Sequence, residues 1–99
     1  MPYIKTNGRQ ALNTSVYKAV DALTGIPDLV SRQGATNYVI SRIVLGALRP
    51  HDGWSYSSIS RAIATLRDAA DEMSRRLMAA REDLAIEANG DLPEYEPVS

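Results

Sequence analysis

The 99-residue sequence contains no cysteine and a single histidine, His51. Without cysteine, disulfide bonds and thiolate chemistry are excluded, and one histidine with no cysteine also excludes the usual zinc sites and Cys-His nucleophile systems. The glycine-rich phosphate-binding patterns GxxxxGK[ST] and GxGxxG do not occur either. These absences remove the familiar catalytic constellations. The sequence therefore predicts a protein that is not an enzyme, uses no cofactor and has no metal site.

Long hydrophobic runs are also absent. No segment has the length of a signal peptide or of a membrane span, so we expect a cytoplasmic protein that does not contact a membrane. The chain length suits one domain. We predict a single helical domain over residues 1–92, followed by an acidic, proline-containing tail over residues 93–99.

The net charge of −1 hides an asymmetry between the two parts of the chain. Residues 1–61 contain seven Lys and Arg against three Asp and Glu, whereas residues 62–99 contain four against nine. Opposite charges of this kind favour attraction either within a subunit or between head-to-tail neighbouring subunits. The basic half is too weakly charged for a typical duplex-binding surface, and the pI near 5.7 makes nucleic acid an unfavourable partner.

The strongest pattern lies between Ser58 and Asn89, where apolar residues alternate in steps of four and three without proline or glycine. The positions in this seam are Ile59, Ile63, Leu66, Ala70, Met73, Leu77, Ala80 and Leu84. Such heptad spacing predicts one long helix packed lengthwise on another helix. At about 1.5 Å per residue, the helix would be roughly 45 Å long, against about 33 Å for a compact domain of this size. We therefore predict a homo-oligomer with Leu66, Met73, Leu77 and Leu84 at the interface.

Two shorter helices complete the expected all-α fold of three main helices. The first begins at residues 13–15 and ends at Thr24, after a turn over residues 5–10. The second begins at Thr36 or Asn37, after a separate helical turn over residues 28–33, and ends near Leu48. Its apolar residues cover a wide arc, which predicts a central helix buried on more than one side. Ser57 or Ser58 is expected to cap the long helix.

Polar and aromatic residues on these helices suggest a ligand site. The candidates are Asn37, Tyr38 and Arg42 on the second helix, and Trp54, Tyr56, Ser58 and Arg61 around the start of the long helix. Aromatic faces suit a base, while arginine and a helix N-terminus suit a phosphate. The competing interpretation is structural, because serines cap helices and aromatic residues fill cores. Both interpretations stay open at this stage.

Three functions follow from these patterns. The first is a non-catalytic homo-oligomeric binding protein that sequesters a small, nucleotide-like anionic ligand. The second is a purely structural or protein–protein interaction module. The third is a magnesium-dependent all-α nucleotide pyrophosphohydrolase that uses Asp68, Asp71 and Glu72. Neighbouring Arg67, Arg75 and Arg76 favour a salt-bridged surface for these carboxylates instead.

Three ordered segments carry a family resemblance: Met1–Ile4 (MPYI), Asn37–Arg42 (NYVISR), and a terminal block with Glu82-Asp83, Ile86-Glu87 and Asn89-Gly90-Asp91. Together with Arg75-Arg76, they resemble a small family of prokaryotic and phage proteins with no assigned activity. The resemblance implies a shared helical fold and a phage source, and it transfers no catalytic residue. The chain departs from the family at Arg81, where tyrosine is usual, and in a longer linker around Gly25.

Overall fold

The fold of the chain is given by a computed structural model, which describes residues 4–95. Its helices are α1 (Thr6–Thr24), α2 (Leu29–Leu48), α3 (Tyr56–Met73) and α4 (Ala79–Asn89). A π-helical segment, Ser74–Met78, joins α3 to α4, and a short 3-10 turn spans Pro93–Tyr95. Residues 4–95 contain no strand. The predicted all-α fold with three main helical stretches is therefore confirmed.

Helix α1 begins earlier than the sequence predicted. The expected turn over residues 5–10 is wrong, because Asn7 and Gly8 lie in the first turns of the helix. The Arg9 Nε donates a hydrogen bond of 2.8 Å to the Ile4 carbonyl. A Cβ placed on Gly8 would lie 3.5 Å from Ile4 Cδ1, so the Ile4 side chain covers this glycine. These local contacts favour the helix over the turn that Asn-Gly usually forms.

Helix α2 is continuous where the sequence predicted two pieces. It starts after Asp28, whose carboxylate accepts a 2.8 Å hydrogen bond from the Ser31 amide. This hydrogen bond also lowers the pKa of Asp28. The helix then passes through Gly34, which was expected to end it. One glycine destabilises a helix interior by only about 1 kcal/mol relative to alanine, and a good cap offsets a similar amount.

The prediction that α2 is buried on more than one side is wrong. None of its residues is buried, and the Ile43 side chain is 58% exposed. The apolar arc shows that this helix needs a covering surface. The described chain does not supply that surface.

The start of α3 is defined by a turn and a reciprocal cap. Gly53, at a φ of 93°, donates a 3.1 Å hydrogen bond to the Pro50 carbonyl. Ser55 is the cap, since its hydroxyl accepts from the Ser58 amide at 3.1 Å while the Ser58 hydroxyl accepts from the Ser55 amide at 2.8 Å. The expected cap at Ser57 or Ser58 is therefore wrong by two or three residues, and Ser58 is the second member of a capping box.

The helical conformation is continuous from Tyr56 to Asn89 and ends at Gly90, as predicted. Gly90 has a φ of 85° and donates its amide to the Ile86 carbonyl at 2.6 Å. The π segment changes the register, however. A π turn closes its hydrogen bonds from residue i to i+5, one residue more than an α turn. One residue corresponds to roughly 100° of rotation, so the uninterrupted seam expected from the sequence is wrong.

The structure divides into two compact units, Met1–Ala62 and Ile63–Ser99. In the first unit, α1 contacts α2. Among residues 4–95, Ala62 is the one buried residue. No helix in this part of the chain is both long and apolar enough to cross a membrane. Residues 1–3 and the last four residues of the predicted tail, 96–99, lie outside the described residues.

Candidate functional site

The second unit carries an apolar groove of about 500 Å³ beside the π segment. We call it the π groove. Two rows of side chains line it, each with i, i+4 spacing: Ala70, Ser74 and Met78 in the first row, and Met73, Leu77 and Arg81 in the second. The three large apolar side chains are more than half exposed. The groove is therefore an open apolar surface with one arginine at its end.

The π segment lies at the centre of this groove, since Ser74, Leu77 and Met78 belong to it. In an uninterrupted α-helix, Ala80 and Leu84 would continue the stripe formed by Met73 and Leu77. Met78 and Arg81 line the groove, whereas Ala80 and Leu84 do not. Met78 and Arg81 were missed by the sequence reasoning, because neither belongs to the apolar seam with steps of four and three residues.

The four predicted interface residues are therefore separated. Met73 and Leu77 line the π groove, and Leu66 lies one helical turn before Ala70 on α3. Leu84, on α4, is exposed and does not line the groove.

An ion-pair cluster spans the start of the π segment. The Glu72 carboxylate binds Arg75 at 2.6 Å and Arg76 at 2.5 Å. The i, i+4 spacing in the sequence predicts the pairs Glu72–Arg76 and Asp71–Arg75. The first is confirmed, and Arg75 binds Glu72. The hydrogen bonds from Arg75 and then Arg76 lower the pKa of Glu72 to about 2. This carboxylate thus connects the last turn of α3 to two residues of the π segment.

The lowered pKa makes a contribution to stability that depends on pH. Because the folded-state pKa of about 2 lies below the ordinary 4.5, this contribution is complete above pH 4.5 and disappears as the pH falls through about 2. We expect Glu72→Gln to lower the melting temperature at neutral pH and to melt like the unmodified chain near pH 2. Thermal unfolding followed by circular dichroism measures both. Glu87→Gln, which removes the same charge from an exposed position of α4 outside the cluster, is the control and should show no such convergence.

The carboxylates proposed for magnesium do not form a cluster. Among residues 4–95, no three His, Asp or Glu side chains lie together in a way that would hold a metal ion. Glu72, one of the three candidates, binds two arginines. The described residues therefore give the pyrophosphohydrolase hypothesis no metal site.

The predicted ligand residues on α2 form two local pairs. Arg42 Nη1 donates a 2.8 Å hydrogen bond to the Tyr38 hydroxyl, and its Cζ lies 5.6 Å from the centre of the Tyr38 ring. The Ser41 hydroxyl donates to the Asn37 Oδ1 at 3.2 Å. Tyr38 and Arg42 are exposed. The expected aromatic–arginine combination is present on this helix.

A second groove, of about 650 Å³, lies along α2. It is lined by Leu29, Val30, Arg32, Gln33, Gly34, Thr36, Asn37 and Ile40. Arg32 also donates to the Ile26 carbonyl at 2.9 Å, which ties the start of α2 to the preceding loop. Of the seven predicted ligand residues, Asn37 is the one in this groove.

The other candidates are distributed around the start of α3. Ser58 belongs to the capping box, Trp54 is half-buried, and Tyr56 is 89% exposed. Arg61 lies on α3 and is exposed. None of these four lines either groove. The structure of one chain thus does not gather the predicted ligand residues into one cavity.

The chain was compared with known families, curated proteins and solved structures. A family model described as "Domain of unknown function (DUF6899)" matches residues 1–92. No curated protein and no solved structure matches the chain.

Proposed function

The chain belongs to the DUF6899 family, whose domain has no known function, so membership assigns it no activity. We propose from its surfaces that it is a non-catalytic homo-oligomeric binding module. The observation that supports this proposal is the exposure of the apolar helix faces. Large apolar side chains are exposed on every α-helix, including Val16 on α1, Ile43 on α2, Ile63 on α3 and Ile86 on α4.

The free energy of burial explains why exposed faces imply assembly. Complete burial of a valine, leucine, isoleucine or methionine side chain stabilises a protein by about 1.5–3 kcal/mol. Ala62, the one buried residue among residues 4–95, contributes little of this kind. Additional copies of the chain offer apolar faces of matching character. The opposite charges of residues 1–61 and 62–99 add a further attraction between copies.

Sedimentation equilibrium tests this proposal directly. We expect the purified chain to sediment as a defined multiple of 10.8 kDa across the micromolar range. Its thermal midpoint should also rise with protein concentration, because assembly stabilises the folded state by mass action. A strict monomer with a concentration-independent midpoint would refute the proposal.

Sequestration of a nucleotide-like anion is the second candidate function. The supporting observation is the exposed Tyr38–Arg42 pair, which offers an aromatic face and a guanidinium side by side. Since one chain does not bring Trp54, Tyr56 or Arg61 into a cavity with this pair, such a site would need contributions from more than one copy. The purely structural module needs no ligand at all.

A ligand screen separates these two functions. We expect cyclic nucleotides or ADP-ribose-type compounds to raise the melting temperature of the assembled protein by several degrees, and Arg42→Ala to abolish the shift. Arg49→Ala, which removes the arginine just after α2, should leave it unchanged. If no nucleotide changes the melting temperature of the intact oligomer, the structural module is the better description.

Two further parts of the proposal concern the location of the protein and its source. The cysteine-free sequence suits a reducing compartment, which supports a cytoplasmic location. The resemblance of three segments to phage proteins supports a phage source. A phage protein of this kind would use an oligomeric binding module to sequester an immune signalling nucleotide of its host.

A further inference from the structure

We propose that the π groove is the contact between copies, and that two chains meet there antiparallel about a twofold axis between Ser74 and Arg75. This inference rests on the proposed homo-oligomer and specifies its interface. The groove suits such a contact because its exposed apolar side chains form one continuous patch in the second unit. A twofold contact requires a surface that is complementary to itself.

The charges beside the first row of the groove are complementary to themselves in this arrangement. Arg67 lies three residues before Ala70, which places it on the edge of that row. Glu82 lies four residues after Met78 and continues the same row into α4. Both side chains are exposed. One edge of the groove therefore has a positive charge at one end and a negative charge at the other.

A twofold axis between Ser74 and Arg75 pairs these opposite charges. Arg67 lies seven residues before Ser74, and Glu82 lies seven residues after Arg75. In an antiparallel pair, the same edge of each helix faces its counterpart, and positions equidistant from the axis lie at the same height. Arg67 of each copy then faces Glu82 of the second copy. The twofold symmetry produces this contact at two equivalent places.

A parallel arrangement does not use these charges. Equal positions lie at the same height in a parallel pair, so that Arg67 would stand level with Arg67 of the second copy. Within one chain, Arg67 and Glu82 are separated by 15 residues of helix, or about 22 Å. They therefore do not form a salt bridge inside a chain. Attraction between these two positions specifically reports an antiparallel contact between copies.

Charge reversal provides the test. Arg67→Glu places two glutamates opposite each other at both symmetry-related contacts, and Glu82→Arg places two arginines there. We expect each single variant to weaken self-association roughly tenfold to thirtyfold at low salt, because two exposed pairs change from attraction to repulsion. An equimolar mixture of the two variants should recover the affinity of the unmodified chain, since both contacts in the mixed pair join opposite charges. Asp83→Arg, with the same charge change one residue further round the helix, is the matched control.

Analytical ultracentrifugation with one variant fluorescently labelled measures these outcomes. Weakened self-association of both single variants, recovery in the mixture, and a control like the unmodified chain would support the antiparallel π-groove contact. If the unmodified chain assembles but the mixture shows no recovery, the inference is refuted and the homo-oligomer stands. If the unmodified chain is a monomer, the proposed function and the inference both fail. Circular dichroism of each variant verifies that the helices are intact.

Discussion

Replacing Leu77 by glutamate is expected to dissociate the homo-oligomer. Leu77 occupies the middle of the second row of the π groove and is 67% exposed in the single chain. At a twofold contact the substitution acts twice: it removes two apolar side chains from the interface and places two carboxylates in an apolar environment. We expect self-association to weaken by at least about a hundredfold. Light scattering after size-exclusion chromatography measures the change.

Leu84→Glu is the matched control for this prediction. Leu84 belongs to the same heptad seam in the sequence and is 62% exposed, close to the value for Leu77. It does not line the π groove. We expect Leu84→Glu to leave the oligomer intact. Equal damage from both substitutions would show that the assembled helix uses the unbroken heptad register.

Deletion of Arg75 is expected to preserve the oligomer while converting the π segment to α-helix. Removing one residue from the π segment lets the i→i+4 hydrogen bonds continue from α3 into α4. Met78 and Arg81 then stay on the groove side. The π turn accommodates one extra residue and the deletion removes one residue, so the rotation of α4 relative to α3 is about the same. Glu72 keeps Arg76, now at i, i+3 spacing. We expect an unchanged oligomer with equal or higher thermal stability.

Two further variants serve as controls for this deletion. Arg75→Ala removes the same charge at full length and reports the loss of the Glu72–Arg75 ion pair without a change of register. An alanine inserted after Arg75, in contrast to the deletion, rotates α4 by about 100° relative to α3. We expect it to weaken self-association at least about tenfold. Sedimentation and thermal unfolding compare the three. A deletion variant that dissociates as readily as the insertion variant would contradict the register assigned to the π segment.

The ends of the helices were predicted from the sequence more accurately than their starts. The ends of the helices at Thr24, Leu48 and Asn89 were predicted correctly, because glycine and proline act within a few residues of where they stand. The starts of α1 and α2 were wrong for a related reason. Asn7-Gly8 and Gly34 are weak breakers, and the side chains of Arg9 and Asp28 outweighed them.

The candidate site was less predictable than the fold. The Tyr38–Arg42 pair was identifiable, because i, i+4 neighbours on a helix meet whatever surrounds them. The sequence could not show whether other predicted ligand residues surround this pair, since that depends on how separate helices are placed. Those residues are Asn37, Trp54, Tyr56 and Ser58. Ser58, for example, forms a hydrogen bond with Ser55 in the capping box.

The sequence by itself determined that this protein is all-α, that its last helical stretch continues to Asn89, and that its helices carry more apolar surface than one chain buries. Local propensities and apolar spacing are sufficient for those conclusions. Only the tertiary structure decided which residues form the exposed groove. The π turn rotates α4 by roughly 100° relative to the uninterrupted seam, and Met78 and Arg81, but not Leu84, line the groove. That rotation is a property of the hydrogen-bonding pattern, and the spacing of apolar residues does not record it.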